Sequence, residues 1–258
     1  MDDRPRIDLD DPTAYGAAFA DVYDRWYEHG NTDDELVALV DFIEKRCPSG
    51  VVIELGVGSG RLAAPLVDRG MAVIGVDASV PMLQKCPARI ERIAADMAAL
   101  PFAPVVADSP PTAFCGFNTL FNLHSQQQLQ RLLTDIVSLG ASLVVELLNA
   151  DLLNEAPTHS TGPSLALSES GRLIVSSTTI DRRDQTLLGR HLEITDDSVI
   201  SRPWLLRWFT LDELDAVALA AGLQLVQRFS SWTGRPFSTD SPSAISVYAP
   251  DHGTPGSA

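Results

Sequence analysis

A strand that runs directly into a glycine loop constrains the fold of this chain more than any other feature. Residues 51–60 read VVIELGVGSG, so a largely apolar segment is followed by a glycine at every second position. A glycine loop at the carboxyl end of a first strand lets the backbone approach a ligand closely, and the helix that follows presents unpaired N–H groups. The sequence therefore predicts an α/β protein whose first loop binds a nucleotide-like ligand.

Apolar strands alternate with helical segments after this loop. Nearly all-apolar strands separated by helices are typical of a parallel sheet that is covered on both faces. We therefore expect a Rossmann-like, doubly wound, seven-stranded and mostly parallel sheet. Its strands are predicted over residues 51–55, 72–77, a stretch ending near 96, 112–121, 142–148, 223–232 and 244–249, and the helix after the glycine loop over about 60–69.

Several helix starts can also be predicted. Two helices are expected before the first strand, over residues 15–29 and 33–46, because their apolar residues recur at helical spacing. Two further helices are expected where the sequence matches the S/T-x-x-E/Q capping box. These boxes pair Ser125 with Gln128 and Thr210 with Glu213.

The alternation stops near residue 164, where four strand-like segments follow one another without a helix. This pattern predicts an antiparallel β insertion over residues 164–209 that lies over the sheet. The expected strands are 164–169, 172–181, 186–194 and 198–209. The expected organisation is one domain over residues 15–249, which begins with a helical part over 15–47, and flexible ends over 1–14 and 250–258.

Charge and cysteine content exclude several classes of partner. A net charge of −15 and a pI of about 4.6 disfavour nucleic acid and an anionic membrane surface. The three cysteines are too far apart to predict a metal site or a disulfide framework. The N-terminal segment does not resemble a signal peptide and no apolar run of about 18 residues occurs, so we expect a cytoplasmic protein.

Three ligand classes compete for the glycine loop. A nucleoside triphosphate loop requires Lys-Ser or Lys-Thr after its last glycine, and neither is present. A dinucleotide loop fits Gly56 and Gly58, with Asp77 as the acid about 20 residues further on. However, Arg61 occupies the position of the third glycine of that motif. Glu54 would also repel a pyrophosphate, and its carboxylate suits a cationic ligand better.

The cationic alternative is supported by a family resemblance. The run Glu54-Leu55-Gly56-Val57-Gly58-Ser59-Gly60 matches acid-x-Gly-x-Gly-x-Gly, the first motif of the class I S-adenosylmethionine (SAM)-dependent methyltransferases, which the chain resembles. Asp77 and Asp96 match the acids that follow the second and third strands of that family. The segments at 23–27, 117–123 and 232–248 resemble small-molecule methyltransferases of an actinobacterial type, including the aminosugar N-methyltransferases. Thr112 departs from the pattern, because the family usually has an acid there.

The resemblance implies SAM as the cofactor and methyl transfer to a nitrogen or oxygen of a small molecule such as a specialised metabolite. It also implies that residues 15–47 form a helical lid over the cofactor and that the insertion over 164–209 lies over the acceptor site. It implies that Asp77 binds the ribose hydroxyls and that Asp96 binds the adenine amino group. Glu54 would orient the ammonium end or hold the loop. The cofactor-binding residues that it implies are Tyr23, Tyr27, Glu54, Gly56, Val57, Gly58, Gly60, Asp77, Ala78, Ser79, Met82, Asp96, Met97, Phe117 and Asn118.

Methyl transfer from a sulfonium depends on alignment and desolvation more than on acid–base chemistry. A base is required only where the nucleophile must lose a proton, and histidine titrates near neutral pH. His124 follows the fourth strand at the edge where open α/β sheets bind ligands, so it is the candidate base. Asn122 stands where the aminosugar enzymes carry histidine, and it is a candidate for orienting the acceptor.

Other functions stay open at this point. The chain could be a SAM-binding cyclase or isomerase that transfers no methyl group, or a SAM-binding accessory subunit of another enzyme. An NAD-dependent oxidoreductase is disfavoured by the spacing of the glycines. The expected partner is a small-molecule methyl acceptor, and a homodimer is an open alternative to a monomer.

Overall fold

Two separate sheets organise the computed structural model, which describes residues 8, 11–27, 32–104, 109–154, 164–169 and 171–251. The strands are β1 (Val51–Leu55), β2 (Ala72–Asp77), β3 (Glu91–Ala94), β4 (Thr112–Cys115), β5 (Ser142–Leu148), β6 (Ser164–Glu169), β7 (Arg172–Asp181), β8 (Thr186–Thr195), β9 (Val199–Arg207), β10 (Leu223–Phe229) and β11 (Ser243–Pro250). The larger sheet has the order β10-β11-β5-β4-β1-β2-β3, and the smaller one has the order β6-β7-β8-β9.

Helices cover both faces of the larger sheet. They are α1 (Ala14–Phe19), α2 (Tyr23–Tyr27), α3 (Asp33–Glu44), α4 (Ala63–Asp68), α5 (Val80–Leu83), α6 (Gln126–Ser138) and α7 (Leu211–Ala221), with 3₁₀ turns at Thr119–Asn122 and Ala150–Asn154. None of the helices in the described residues is long and apolar enough to cross a bilayer.

The strand pairing confirms the predicted fold class. β3, β2, β1, β4 and β5 pair in parallel, whereas β11 pairs antiparallel with both β5 and β10. Every residue of the central strand β4 is buried, and two apolar clusters pack on the two faces of the sheet. This is the seven-stranded, mostly parallel arrangement that the alternation of strands and helices predicts.

The strand order also fixes where a ligand can bind. β1 and β4 are neighbours, and the chain continues from β1 to β2 on one side and from β4 to β5 on the other, so the connections after these two strands leave in opposite directions. Open α/β sheets bind ligands in the crevice at such a switch point. Leu55 pairs with Val76, which brings the glycine loop after β1 beside Asp77 at the end of β2.

The predicted strand over residues 112–121 is wrong beyond Cys115. β4 ends there, and Phe117 and Asn118 both take left-handed backbone conformations, with φ of 53° and 60°. A 3₁₀ turn, Thr119–Asn122, follows directly. The apolar run resembles a buried strand in sequence because Leu120 and Phe121 are buried in the core from this turn instead.

Helix boundaries in the first part of the chain also differ from the predictions. The single helix expected over residues 15–29 is two short helices, α1 and α2, and residues 28–30 lie outside the described ranges. The helix after the glycine loop is shorter than 60–69, because the loop continues to Leu62 before α4 begins. The second expected helix is α3, and Thr32 caps it in a complete capping box with Glu35.

The two predicted capping boxes place the helix starts correctly. Of the two hydrogen bonds that make up each box, only the one accepted by the serine or threonine side chain forms. Ser125 accepts from the backbone N–H of Gln128, whose side chain accepts from the N–H of His124. Thr210 likewise accepts from the N–H of Glu213, whose carboxylate binds Arg207. Each capping glutamate or glutamine therefore links its helix start to a neighbouring segment.

The predicted insertion is the antiparallel sheet β6–β9, whose strand limits lie within two residues of those expected. Its face contacts the first two helices through charged groups. Arg202 on β9 binds both carboxylate oxygens of Asp21 at 2.7 Å and the carbonyl of Ala18 at 2.8 Å. Glu193 on β8 is buried and binds Arg25 of α2 at 3.0 Å and Arg202 at 3.2 Å.

Candidate active site

The glycine loop leaves a bare stretch of backbone facing the sheet edge. Gly56 and Gly58 have φ of 67° and 56°, a region that residues with side chains rarely adopt. A Cβ at Gly56 would lie 2.2 Å from the methyl group of Thr119, and one at Gly58 would lie 3.1 Å from Met82. Both positions therefore require glycine, for backbone conformation and for space.

Asp77, at the end of β2, is hydrogen-bonded to this loop. Its carboxylate accepts from the backbone N–H of Gly58 and from that of Ser79, both at 2.8 Å. Burial raises the pKa of Asp77, and the two N–H donors counteract part of that rise. The residue thus joins the end of β2 to the loop after β1 while its carboxylate lines the adjacent cleft.

The first cleft has a volume of about 800 Å³, including its open mouth, and lies against this loop. It runs from the first helix across the ends of β1 and β2 to the segment after β4. The predicted site residues that line it are Tyr23, Gly56, Gly58, Asp77, Ala78, Met82, Asp96, Met97, Asn122 and His124.

A second, smaller cleft of about 320 Å³ adjoins the first, because Tyr23, Gly56, Gly58 and Thr119 line both. The predicted residues Glu54, Val57 and Phe117 also line it, together with Arg61.

Glu54 is the most perturbed of these groups. Its side chain is buried, and this burial raises its pKa to about 8 against the attraction of Arg61. Its Oε2 atom has no hydrogen-bond partner among the residues that the structure describes. A buried carboxylate with an unpaired oxygen favours a ligand that brings a donor or a positive charge.

A third cleft of about 740 Å³ opens between the first helix and β9. Asn122 and His124 line both this cleft and the first one. The His124 Nε2 atom lies 3.3 Å from the carbonyl oxygen of Leu205, and the Asn122 amide donates to the carbonyl of Thr119 at 3.0 Å. The two side chains are therefore held by backbone carbonyls at the wall that the first and third clefts share.

Three predicted residues have structural contacts but line none of the three clefts in the described part of the chain. Gly60 packs so closely that a Cβ would lie 2.8 Å from the sulfur of Cys86. Ser79 caps α5, and Asn118 accepts from the N–H of Leu148. Tyr27 ends α2, and its side chain lies outside the described residues.

Several residues of the site were not predicted from the sequence. Tyr15 and Gly16 of α1 line the first cleft, Thr119 lines the first and second, and Trp204 of β9 lines the third. A Cβ at Gly16 would lie 2.3 Å from the Cβ of Ser79, so α1 contacts the start of α5 directly. A glycine inside an amphipathic helix was the available signal for such a close approach.

Comparisons with known proteins identify the family. Residues 52–139 match a methyltransferase domain family. The cypemycin N-terminal methyltransferase of a Streptomyces species is 24% identical over 239 residues, covering 90% of this chain and 96% of that protein. The CcbJ methyltransferase from Streptomyces caelestis is 30% identical, covers 93% of this chain and 99% of that chain, and superimposes with a TM-score of 0.81.

The chain belongs to the class I SAM-dependent methyltransferases. SAM is therefore the cofactor of this methyltransferase. A more distant structural neighbour is CalS10, an amino pentose methyltransferase from Micromonospora echinaspora. It is 21% identical, covers 89% of this chain and 96% of that chain, and has a TM-score of 0.65, so it supports the fold alone.

The residues around the first two clefts fit SAM. The unpaired, buried oxygen of Glu54 suits the ammonium group of the cofactor, and the side-chain-free backbone at Gly56 and Gly58 leaves space beside it. Asp77 presents a carboxylate that can accept further hydrogen bonds from ribose hydroxyls, because each oxygen accepts only one backbone N–H.

The close contact between α1 and α5 gives a first testable prediction for this methyltransferase. Gly16→Val should displace α1 from Ser79 and weaken SAM binding by about tenfold, because Tyr15 and Gly16 line the first cleft. Calorimetric titration with SAM measures this change. Ala17→Val is the matched control, because Ala17 lies in the same helix and is exposed. Equal affinities in the two variants would exclude a role for this contact.

Proposed function

We propose that this methyltransferase transfers the methyl group of SAM to a small-molecule acceptor that binds in the third cleft. The observation that carries the proposal is the position of Asn122 and His124, which line both the first and the third cleft. Side chains shared by two adjoining clefts can contact two ligands at the point where they meet. A reaction between a cofactor and an acceptor requires such a meeting point.

We assign the adenosine part of SAM to the first cleft. There, Asp77 would accept from the ribose hydroxyls, and Asp96 would accept from the adenine amino group with Met97 against the ring. All three line this cleft. The hydrogen bonds to the two carboxylates would be charge-assisted, and such bonds are stronger than hydrogen bonds between neutral groups.

We assign the methionine part to the second cleft. Glu54, once ionised, would bind the ammonium group and Arg61 the carboxylate, since both line this cleft. Tyr23, Gly56 and Gly58 line the first and second clefts alike, so the sulfonium between the two parts of SAM would lie beside them.

An amine is the acceptor that the third cleft favours. Among the described residues, those that line this cleft include Asp8 and Asp11 together with the aromatic Tyr15 and Trp204, and they include no lysine or arginine. Carboxylates and aromatic faces attract cations and disfavour anions. The name of one relative, an N-terminal methyltransferase, also points to a nitrogen acceptor. A hydroxyl acceptor is the second candidate.

The chain then has three tasks in the reaction. SAM, when bound, supplies an electrophilic methyl group on a good leaving group. The clefts align the acceptor with it and exclude water by means of α1 and the insertion. An amine must also lose a proton, and the imidazole of His124, at the wall that the first and third clefts share, would accept it.

The experiment that tests the proposal is incubation of the purified protein with SAM and a panel of metabolite amines, alcohols and carboxylic acids. We expect S-adenosylhomocysteine to form together with an acceptor that has gained one methyl group, and amines to react most readily. Formation of a rearranged product without S-adenosylhomocysteine would instead support a cyclase or isomerase. Activity only after addition of a partner protein would support an accessory subunit.

His124→Gln gives a second prediction. We expect kcat to fall about tenfold while the affinity for SAM stays unchanged. Part of the proton transfer can go to water, so the loss stays below that of an obligatory base. Steady-state kinetics with an amine acceptor and titration with SAM measure the two quantities. An unchanged kcat would remove the base from the mechanism, and an equal loss of SAM affinity would make His124 a binding residue.

We also propose that the protein works in the cytoplasm. Its three cysteines are buried free thiols, which fits a reducing compartment. A homodimer stays a prediction, which sedimentation of the purified protein would test.

A further inference from the structure

The turn after β4 is strained. Phe117 and Asn118 are consecutive residues with φ of 53° and 60°, and neither is a glycine. Asparagine tolerates this region, but a bulky aromatic residue rarely adopts it. Such a conformation persists only where surrounding contacts hold it, and it is often found at functional sites.

Glu146 of β5 supplies the contacts that hold this turn. Its Oε2 atom accepts from the backbone N–H of Phe117 at 2.8 Å, and its backbone carbonyl accepts from the N–H of Asn118 at 3.3 Å. Its Oε1 atom accepts from the indole N–H of Trp232 at 3.1 Å. One side chain thus joins the turn to the segment that precedes β11.

Trp232 fixes Glu146 from the other side. Its ring packs edge-on against Phe42 and Phe114, with ring centroids 5.4 and 5.8 Å apart, and only 7% of the residue is exposed. The carboxylate is therefore oriented by a rigid, buried indole. Burial raises the pKa of Glu146, while the two N–H donors and Arg61 oppose the rise.

The turn carries groups that line the second cleft. The Phe117 ring lies under the guanidinium of Arg61, whose central carbon is 4.8 Å from the ring centroid. The methyl group of Thr119 fills the space that the missing side chain of Gly56 leaves. Glu146 itself does not line any of the three clefts in the described residues, so it can affect them only through this turn.

We propose that Glu146 is a positioning residue for the methionine part of SAM. By holding the strained turn, it sets the place of Phe117 and, through the stacked ring, of Arg61. This inference rests on the proposed assignment of the methionine part to the second cleft. Glu146 does not contact the cofactor, and its effect should therefore be confined to ligands that fill this cleft.

The test is Glu146→Gln, measured by titration with SAM and with 5′-methylthioadenosine, which lacks the amino acid part. Glutamine has one acceptor oxygen, so its NH₂ group must face the N–H of either Phe117 or Trp232. We expect the affinity for SAM to fall about tenfold and that for methylthioadenosine to stay unchanged. An equal loss of affinity for SAM and for methylthioadenosine, or no loss of affinity for either, would overturn the proposal.

Two further variants sharpen this test. Glu213→Gln is the matched control, because that glutamate is also partly buried and hydrogen-bonded but lies on α7. Phe117→Gly removes both the strain and the ring, so adding Glu146→Gln to it should weaken SAM binding little further. If the two substitutions weaken SAM binding additively in the double variant, Glu146 does not act through Phe117 and the proposal is contradicted.

The inference and the proposed function can fail separately. If the wild-type protein binds SAM and methylthioadenosine with equal affinity, the methionine part does not use the second cleft and the assignment itself is wrong. If wild-type binding favours SAM but Glu146→Gln retains the full preference, only the positioning role of Glu146 is wrong.

Discussion

Asp77→Ala is expected to weaken the binding of SAM by about 100-fold. The carboxylate of Asp77 is the proposed acceptor for two ribose hydroxyls, and each charge-assisted bond contributes about 1.5 kcal/mol. The same substitution removes the acceptor of the Gly58 and Ser79 N–H groups. Loss of these bonds loosens the loop at Gly58, which adds to the loss of affinity. Calorimetric titration with SAM measures the effect.

The fold should survive this substitution, because water in the cleft can accept from the two N–H groups. Asp184→Ala serves as the control for removing an acid, since Asp184 is exposed on the turn between β7 and β8. The SAM affinity of Asp77→Asn should lie between those of Asp77→Ala and Asp184→Ala, because an amide retains one acceptor oxygen. If Asp77→Ala binds SAM as tightly as Asp184→Ala does, the ribose site has been placed wrongly.

Glu54→Gln is expected to weaken SAM binding about 30-fold and, at the same time, to stabilise the protein without ligand above pH 8. The loss of affinity follows from removal of the charge that faces the ammonium group. The gain in stability follows because a buried carboxylate is unfavourable when no partner is bound. A lower affinity for SAM together with a higher free energy of unfolding would show that the charge of Glu54 serves binding and does not serve stability.

The pH dependence of stability has a definite sign. The pKa of Glu54 is about 8 in the folded protein against 4.5 for an unperturbed carboxyl. Between these values the folded chain retains a proton that the unfolded chain has lost, so the free energy of unfolding falls as pH rises through this window. Glu54→Gln should lack this fall. Urea unfolding at a series of pH values measures it, and identical curves would contradict the buried, unpaired state of Glu54.

The pH dependence of binding should run the other way. In the wild-type protein, SAM affinity should rise from pH 6 towards pH 8 as Glu54 becomes able to ionise beside the ammonium group. Above pH 8 the α-amino group of SAM itself loses its proton, and affinity should decline again. Glu54→Gln should show only the decline. Titration with SAM across this range distinguishes the two profiles.

Local patterns predicted much of the fold and brought forward many of the residues that line the candidate site. The ends of β1 and β2, at Leu55 and Asp77, could be located because hydrophobic runs and glycines are properties of the local sequence. The turn at Phe117 could not be, since its conformation depends on Glu146, 29 residues away. The contact of Gly16 with Ser79 is also long-range. Each missed feature is a pairing between segments, and a single sequence carries no direct signal for such pairings.

The charged contacts between the first two helices and the insertion bear on how this enzyme could be redesigned. Arg202 and Glu193 belong to the strands beside the third cleft, whereas their partners Asp21 and Arg25 belong to the part of the chain beside the first. A graft that replaced only strands β6 to β9 would leave these partner charges without counterparts. A chimaera with a new acceptor range would therefore need both segments from the same parent, transplanted together.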